Sequence, residues 1–175
     1  LVWKKNHELL LRAFAELEEE PVLALVGDGP LKGDLEELAL ELGIDHRVIF
    51  CGHQENAKTL IRAFDSFVFP SGEEESFGVV LLEAMAASVP ILSSDAAGPK
   101  SVISDSAITF RCDNKHDLVD KLKRMQSLTE QEIEDFASRG SHRLDEKFSI
   151  GVVSQKVRSL PEVAKLAPYR VEHDL

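Results

Sequence analysis

Aromatic side chains, cysteines and positive charge are all scarce in this 175-residue sequence, and each shortage excludes something. Aromatics make up 6% of the chain, so its core must come from the plentiful Leu, Val, Ile and Ala, which suits α/β packing. The two cysteines, Cys51 and Cys112, form no CxxC pair; reduced thiols in a cytoplasmic protein are the expected state. Net charge is −11, which argues against nonspecific nucleic-acid binding and against a polybasic membrane surface. No apolar run reaches about 18 residues and no export-signal pattern occurs, so these residues are expected neither to span a membrane nor to direct export. The six histidines are scattered, with no HExxH and no His/Cys cluster, and Asp-x-Asp is absent, so no metal site is expected. Internal repeats and low-complexity linkers are lacking too.

What is present is a 43% hydrophobic chain, enough for one well-buried domain, in which strand-like and helix-like runs alternate. Residues 6–19 place Leu9, Leu10, Ala13, Phe14 and Leu17 at helical spacing, and residues 22–26 form an unbroken apolar strand. Gly27-Asp28-Gly29-Pro30 turns into a helix over 31–42 that Gly43 closes. Further strands are predicted over 48–51, 66–69, 90–93 and 107–110, with helices over 56–64 and 77–88 and a helical turn after Pro99. From Asn114 onward the chain is mostly helical. Thr129 with Glu132 forms a capping box for a helix to about Lys147, Phe148-Ser149 breaks it, and a last helix covers 150–160. The fold class is α/β, a Rossmann-like parallel sheet with helices on both faces.

One stretch carries chemistry. In Glu75-Ser76-Phe77-Gly78-Val79-Val80-Leu81-Leu82-Glu83 a carboxylate stands before a predicted helix and another lies inside it. The small residues Ser76 and Gly78 let a ligand approach the helix start, where unpaired N–H groups and the positive dipole end favour phosphate. From Phe77 to Glu83 such a helix rises roughly 9 Å. Glu83 has apolar neighbours, which speaks against an ordinary solvated face; Glu75 closes the run Glu73-Glu74-Glu75, which without that spacing reads as a solvated loop. Gly27 and Gly29 follow a strand, but Lys32 breaks the dinucleotide fingerprint, and no Walker A sequence occurs.

These residues resemble the E-x7-E signature of family 4 retaining glycosyltransferases, in the C-terminal, donor-binding domain of their two-domain GT-B fold. Lys5-Asn6-His7-Glu8-Leu9-Leu10 resembles the lysine-led start of that domain's first helix, and Val26-Gly27-Asp28-Gly29-Pro30 its "GDGP" turn. Val48-Ile49-Phe50-Cys51-Gly52 and Pro90-Ile91-Leu92-Ser93-Ser94-Asp95 with Gly98-Pro99 resemble later strands and loops, in the family's order, over roughly residues 1–150. Lys100 stands where the common pattern carries Glu.

The resemblance implies roles. Glu83 would accept hydrogen bonds from both ribose hydroxyls of a nucleoside diphosphate sugar. Glu75 would contact hydroxyls of the transferred sugar. Ser76, Phe77, Gly78 and Val79 would hold the diphosphate through backbone N–H groups, although Phe77 reads better as a packing anchor. Lys5 would neutralise the departing diphosphate, with Lys4 as its competitor. Gly27 and Gly29 would lie beside the donor, and Gly52 in a loop that borders the base or is an ordinary loop. No cofactor beyond the nucleotide-sugar substrate is implied. Residues 1–160 would form the donor domain, truncated at its start, and 161–175 a loosely held tail. A strand ending in Gly-Arg and an N-terminal acceptor domain, itself the only route to a membrane, would lie outside this sequence. The chain alone should then bind nucleotide weakly and transfer nothing. A non-catalytic nucleotide-sugar-binding scaffold and a nucleotide-sugar epimerase of the same fold are the competing readings.

Overall fold

The computed structural model describes residues 1–164. Five parallel strands alternate with helices: α1 (His7–Phe14), β1 (Leu23–Val26), α2 (Lys32–Glu41), β2 (Val48–Gly52), α3 (Ala57–Leu60), β3 (Phe67–Phe69), α4 (Val79–Ala86), β4 (Ile91–Ser94), α5 (Ala97–Ile103) and β5 (Ile108–Phe110). Helices α6 (Lys115–Gln126), α7 (Glu130–Phe148), α8 (Ile150–Arg158) and α9 (Pro161–Ala164) follow. The strands form two ladders, β1-β2 and β3-β4-β5.

Strand side chains alternate between two cores, as a period of two requires. Leu25, Leu92 and Phe110 join α1, α2 and α6 residues such as Leu11, Leu38 and Leu118 on one face. Phe69 and Ile91 join Leu81 and Met85 of α4 and Val102 of α5 on the other. The expected parallel sheet covered on both faces is therefore what the chain forms.

Element boundaries depart from expectation where carbonyls or glycines find tertiary partners. Helix α1 stops at Phe14, short of residue 19. The Arg47 guanidinium donates to the carbonyls of Phe14, Leu17 and Glu19, and the acidic run Glu18-Glu19-Glu20 opposes a helix carboxyl end there. The helix expected over 56–64 is one α-turn continued as 3-10 geometry over Ile61–Ala63. The break after α7 falls at Ser149 alone, whose hydroxyl caps α8 through the Val152 N–H. The first residues of the expected tail form a helical turn, Pro161–Ala164; its remainder lies outside the described residues.

Candidate functional site

The C-terminal ends of β1 and β3 collect the residues singled out from the sequence. Lys5 closes a 3-10 turn (Trp3–Lys5), and Asn6, at φ 53°, swings the chain into α1. Lys5 Nζ then donates to Glu75 Oε2 at 2.5 Å and lies 5.0 Å from the centre of the Phe69 ring. Two candidates seventy residues apart in sequence are thus one ion pair. Glu75 is buried, while the Lys5 side chain remains 32% exposed. Burial pushes the Glu75 carboxyl up, but the Lys5 hydrogen bond and charge, with help from Lys4 and the Phe77 N–H, outweigh it and hold its pKa below the usual carboxylate value.

Helix α4 begins at Val79, two residues later than expected, because Gly78 adopts φ 84° and acts as its N-cap. No side chain caps this end, so its first N–H groups remain available to an anion. Ser76 and Phe77 lie in the loop ahead of the helix, and both are exposed. Val79 is 63% exposed at the helix start. Glycine at 78 has a requirement beyond the expected clearance for phosphate. A Cβ there would fall 2.9 Å from the Phe69 ring, on top of the left-handed backbone. Phe77 packs edge-on against Phe148, ring centres 5.8 Å apart, which fits an anchor. From Val79 to Glu83 the helix rises about 6 Å rather than 9.

Glu83 is half-buried one turn into α4, and its carboxylate makes no hydrogen bond or ion pair among the described residues. It lines, with Lys5 and Gly27, a cavity of about 1140 Å³ between the two ladders. Glu75 reaches that cavity only through Lys5. Gly27 and Gly52 are joined across the ends of β1 and β2, Gly27 N–H donating to the Gly52 carbonyl at 2.8 Å. Gly29 follows in the turn, its N–H held by Asp28 Oδ1. Gly52 and Gly29 do not line the cavity.

Three residues were given no role in the sequence reading. Gly98, in the first turn of α5, touches the Glu75 loop: a Cβ there would lie 2.0 Å from the Glu75 carbonyl oxygen. Glu73, read as solvated, accepts from the Ala97 N–H at 3.4 Å, tying the same loop to α5. A glycine before a proline is the only local signal of this approach, and it does not say what approaches. His7 was also passed over. Burial above all, with the Lys5 charge, holds its imidazole down at about 4 against an ordinary 6.5. Between pH 6.5 and about 4 the unfolded chain gains a proton that the folded chain refuses, so stability falls with falling pH by about 3 kcal/mol and levels off below. Urea titrations across this range should show that fall, and His7→Gln should flatten it; an unchanged slope would contradict the burial.

The sequence model for the glycosyl transferases group 1 matches residues 1–142. The chain belongs to that family. Among relatives of this glycosyltransferase domain, the putative glycosyltransferase EpsF of Bacillus subtilis is 42% identical over 99 residues, 55% of this chain and 26% of that protein. The lipopolysaccharide core biosynthesis glycosyltransferase LpsD of Rhizobium meliloti is 35% identical over 153 residues, 85% of this chain and 43% of LpsD. The crystal structure of Anabaena HepE in complex with UDP shares the fold at a TM-score of 0.84 and 21% identity, covering 95% of this chain and 47% of that one. The chain thus spans less than half the length of each of these relatives. Among the described residues no group of three or more His, Cys, Asp or Glu side chains could hold a metal, and no helix is long and apolar enough to cross a membrane.

Proposed function

We propose that residues 1–160 are the C-terminal, donor-binding domain of a GT-B, family 4 retaining glycosyltransferase, and that its donor is a nucleoside diphosphate sugar. The observation that carries this reading is the uncapped start of α4, flanked by the Lys5–Glu75 pair on one side and Glu83 one turn on. The diphosphate rests on the N–H groups around Gly78 and Val79, with Ser76 and Phe77 shaping the loop ahead. Glu83, an acceptor-only group, takes hydrogen bonds from both ribose hydroxyls. Glu75 accepts from hydroxyls of the transferred sugar, and Lys5 balances the diphosphate as it leaves. Gly27, Gly29 and Gly52 bring two backbone turns close to the donor.

In the full-length protein, the bond from the anomeric carbon to the diphosphate breaks and a bond to an acceptor hydroxyl forms on the same face. The acceptor's proton passes to a leaving phosphate oxygen. Lys5 and the helix dipole supply the positive charge that a divalent ion gives other glycosyltransferases, so no metal is needed. The N-terminal domain of the same protein binds the acceptor, and the setting is cytoplasmic synthesis of a glycolipid or polysaccharide. LpsD and HepE-UDP support this reading through the activity and the ligand that they are described with.

Calorimetry with UDP, GDP and ADP tests it. One of the three should bind, and Glu83→Ala should weaken that binding by about tenfold to a hundredfold, as loss of charged hydrogen bonds does. Equal affinity in the variant, with the fold intact by circular dichroism, would remove Glu83 from the site; no binding by any of the three to the full-length protein would end the donor reading.

A further inference from the structure

The loop of residues 71–78 ahead of α4 is held at two points, and both lead to α5. Its Glu75 end meets the amino end of that helix. The Ala97 N–H donates to Glu73 at 3.4 Å, and only a glycine at 98 lets the helix come so close to the Glu75 carbonyl. Its Phe77 end meets Phe148, the last residue of α7, with ring centres 5.8 Å apart and ring planes at 79°. An edge-to-face contact is directional, so it fixes the angle of the Phe77 ring as well as its place.

Phe148 is in turn held from two sides. Its ring packs against the core that contains Leu81 and Met85 of α4. The Arg143 guanidinium lies 5.9 Å from its centre, within reach of a cation–π attraction. Arg143 is itself anchored, donating to the carbonyls of Ser101, at 2.6 Å, and of Val102. Both carbonyls lie in the last turn of α5, where no further helical N–H is left to donate to them. A forked guanidinium suits two such acceptors at once. Gly140, about two turns before Phe148, keeps α7 close on α4: a Cβ there would stand 3.4 Å from Met85 Cγ.

Helix α5 therefore sets both ends of the loop, one directly and the other through Arg143 and Phe148. Between those points lie the Phe77 N–H, which hydrogen-bonds to the Glu75 carboxylate, and Gly78, which caps α4. A Phe77 ring free to tilt would carry its own N–H with it. That motion would loosen Glu75 and turn the first donors of α4 away together.

We infer that Phe148, steadied by Arg143, is a positioning residue for the donor: its contact with Phe77 aims the amide groups of residues 77–79 at the diphosphate and keeps Glu75 in register with them. Phe148 touches no substrate. The consequence for turnover rests on the donor reading, whereas the effect on the loop rests on the packing alone.

Amide exchange in the full-length protein reads the loop without nucleotide. The Glu75 and Leu81 N–H groups bond to the Gly72 and Gly78 carbonyls. In Phe148→Ala they should exchange at least about tenfold faster relative to the amides of β4. Leu38→Ala, in the core on the other face of the sheet, is the control: it lowers Tm and should leave that ratio unchanged. Turnover then separates aiming from filling. Phe148→Ala should lower kcat about 10–30-fold, as a small misplacement of reacting groups does, while the Kd for nucleoside diphosphate changes by less than about threefold. Phe148→Leu restores apolar volume without a ring and should recover Tm but not kcat. Phe148→Tyr keeps the ring and should recover both. Arg143→Lys keeps the charge but loses the fork, and should lower kcat in the same direction. Unchanged loop exchange in Phe148→Ala, or a kcat as high in Phe148→Leu as in Phe148→Tyr, overturns the inference. A parent-like kcat in Arg143→Lys removes Arg143 from it. A parent protein that binds no nucleoside diphosphate ends the donor reading instead, and the exchange result still decides whether Phe148 holds the loop.

Discussion

Replacing Lys5 by methionine in the full-length protein should lower kcat by about 10²–10³-fold, the range found when one preorganised hydrogen-bond donor to a developing oxyanion is removed. At roughly 1.4 kcal/mol per tenfold, that is about 3–4 kcal/mol of transition-state stabilisation. The position of the ammonium argues for so large an effect. Glu75 Oε2 at 2.5 Å and the Phe69 ring at 5.0 Å hold it in place, yet a third of the side chain remains open to a ligand. On the proposed reading, little reorganisation would then be required as charge develops on a leaving diphosphate. A purely structural lysine would also give a less active variant, through a damaged fold, so the pair must be separated. Lys5→Met leaves a buried carboxylate without its cation, and that destabilises the fold. The double variant Lys5→Met with Glu75→Gln removes the stranded charge and should recover most of the lost Tm. It should recover none of the kcat. Recovery of both would make the pair structural, and turnover near the wild-type level in Lys5→Met would sink the catalytic role.

The strands and the order of the motifs were readable because each depends on local composition: apolar runs such as 22–26 and 48–51, the turn at Gly27-Asp28-Gly29-Pro30, and the capping box at Thr129 and Glu132. Carboxylate spacing also named Glu75 and Glu83 correctly as residues near one helix start. What stayed hidden was set by partners distant in sequence. Arg47 ends α1 from 28 or more residues away, and nothing within residues 6–19 signals it. Gly78 also answers to the Phe69 ring nine positions earlier, a partner that the phosphate argument did not contain. The separation into two ladders is likewise invisible in any single strand, since it is a matter of which edges meet. The Lys5–Glu75 contact was not expected from the sequence, since the resemblance gave the two residues different roles, and the fold brings them together from seventy residues apart.

Gly98→Ala should be among the most damaging single-methyl additions in this chain, costing about 4 kcal/mol and lowering Tm on the order of 10 °C. Two effects oppose each other. Alanine is favoured over glycine in a helix by up to about 1 kcal/mol, and Gly98 lies in α5. Against this, the added Cβ would sit 2.0 Å from the Glu75 carbonyl oxygen and 2.5 Å from the Ser76 carbonyl carbon. Both are backbone atoms, so no flexible side chain can swing aside. Either α5 or the 71–78 loop must move, and the loop is held by the Glu73 contact to Ala97 and by the turn from Gly72 to Glu75. The clash wins. Gly33→Ala in α2 is the control: nothing lies within 4 Å of its added methyl, so only the helix-propensity gain remains and Tm should hold or rise. The functional consequence follows from which loop gives way. If it is the Glu75 loop, the carboxylate leaves Lys5, and amide exchange at Glu75–Val79 accelerates along with the loss of Tm. A Gly98→Ala variant as stable as Gly33→Ala would mean that α5 and the loop do not meet as described, and the placement of Glu75 at the start of α4 would fall with that contact.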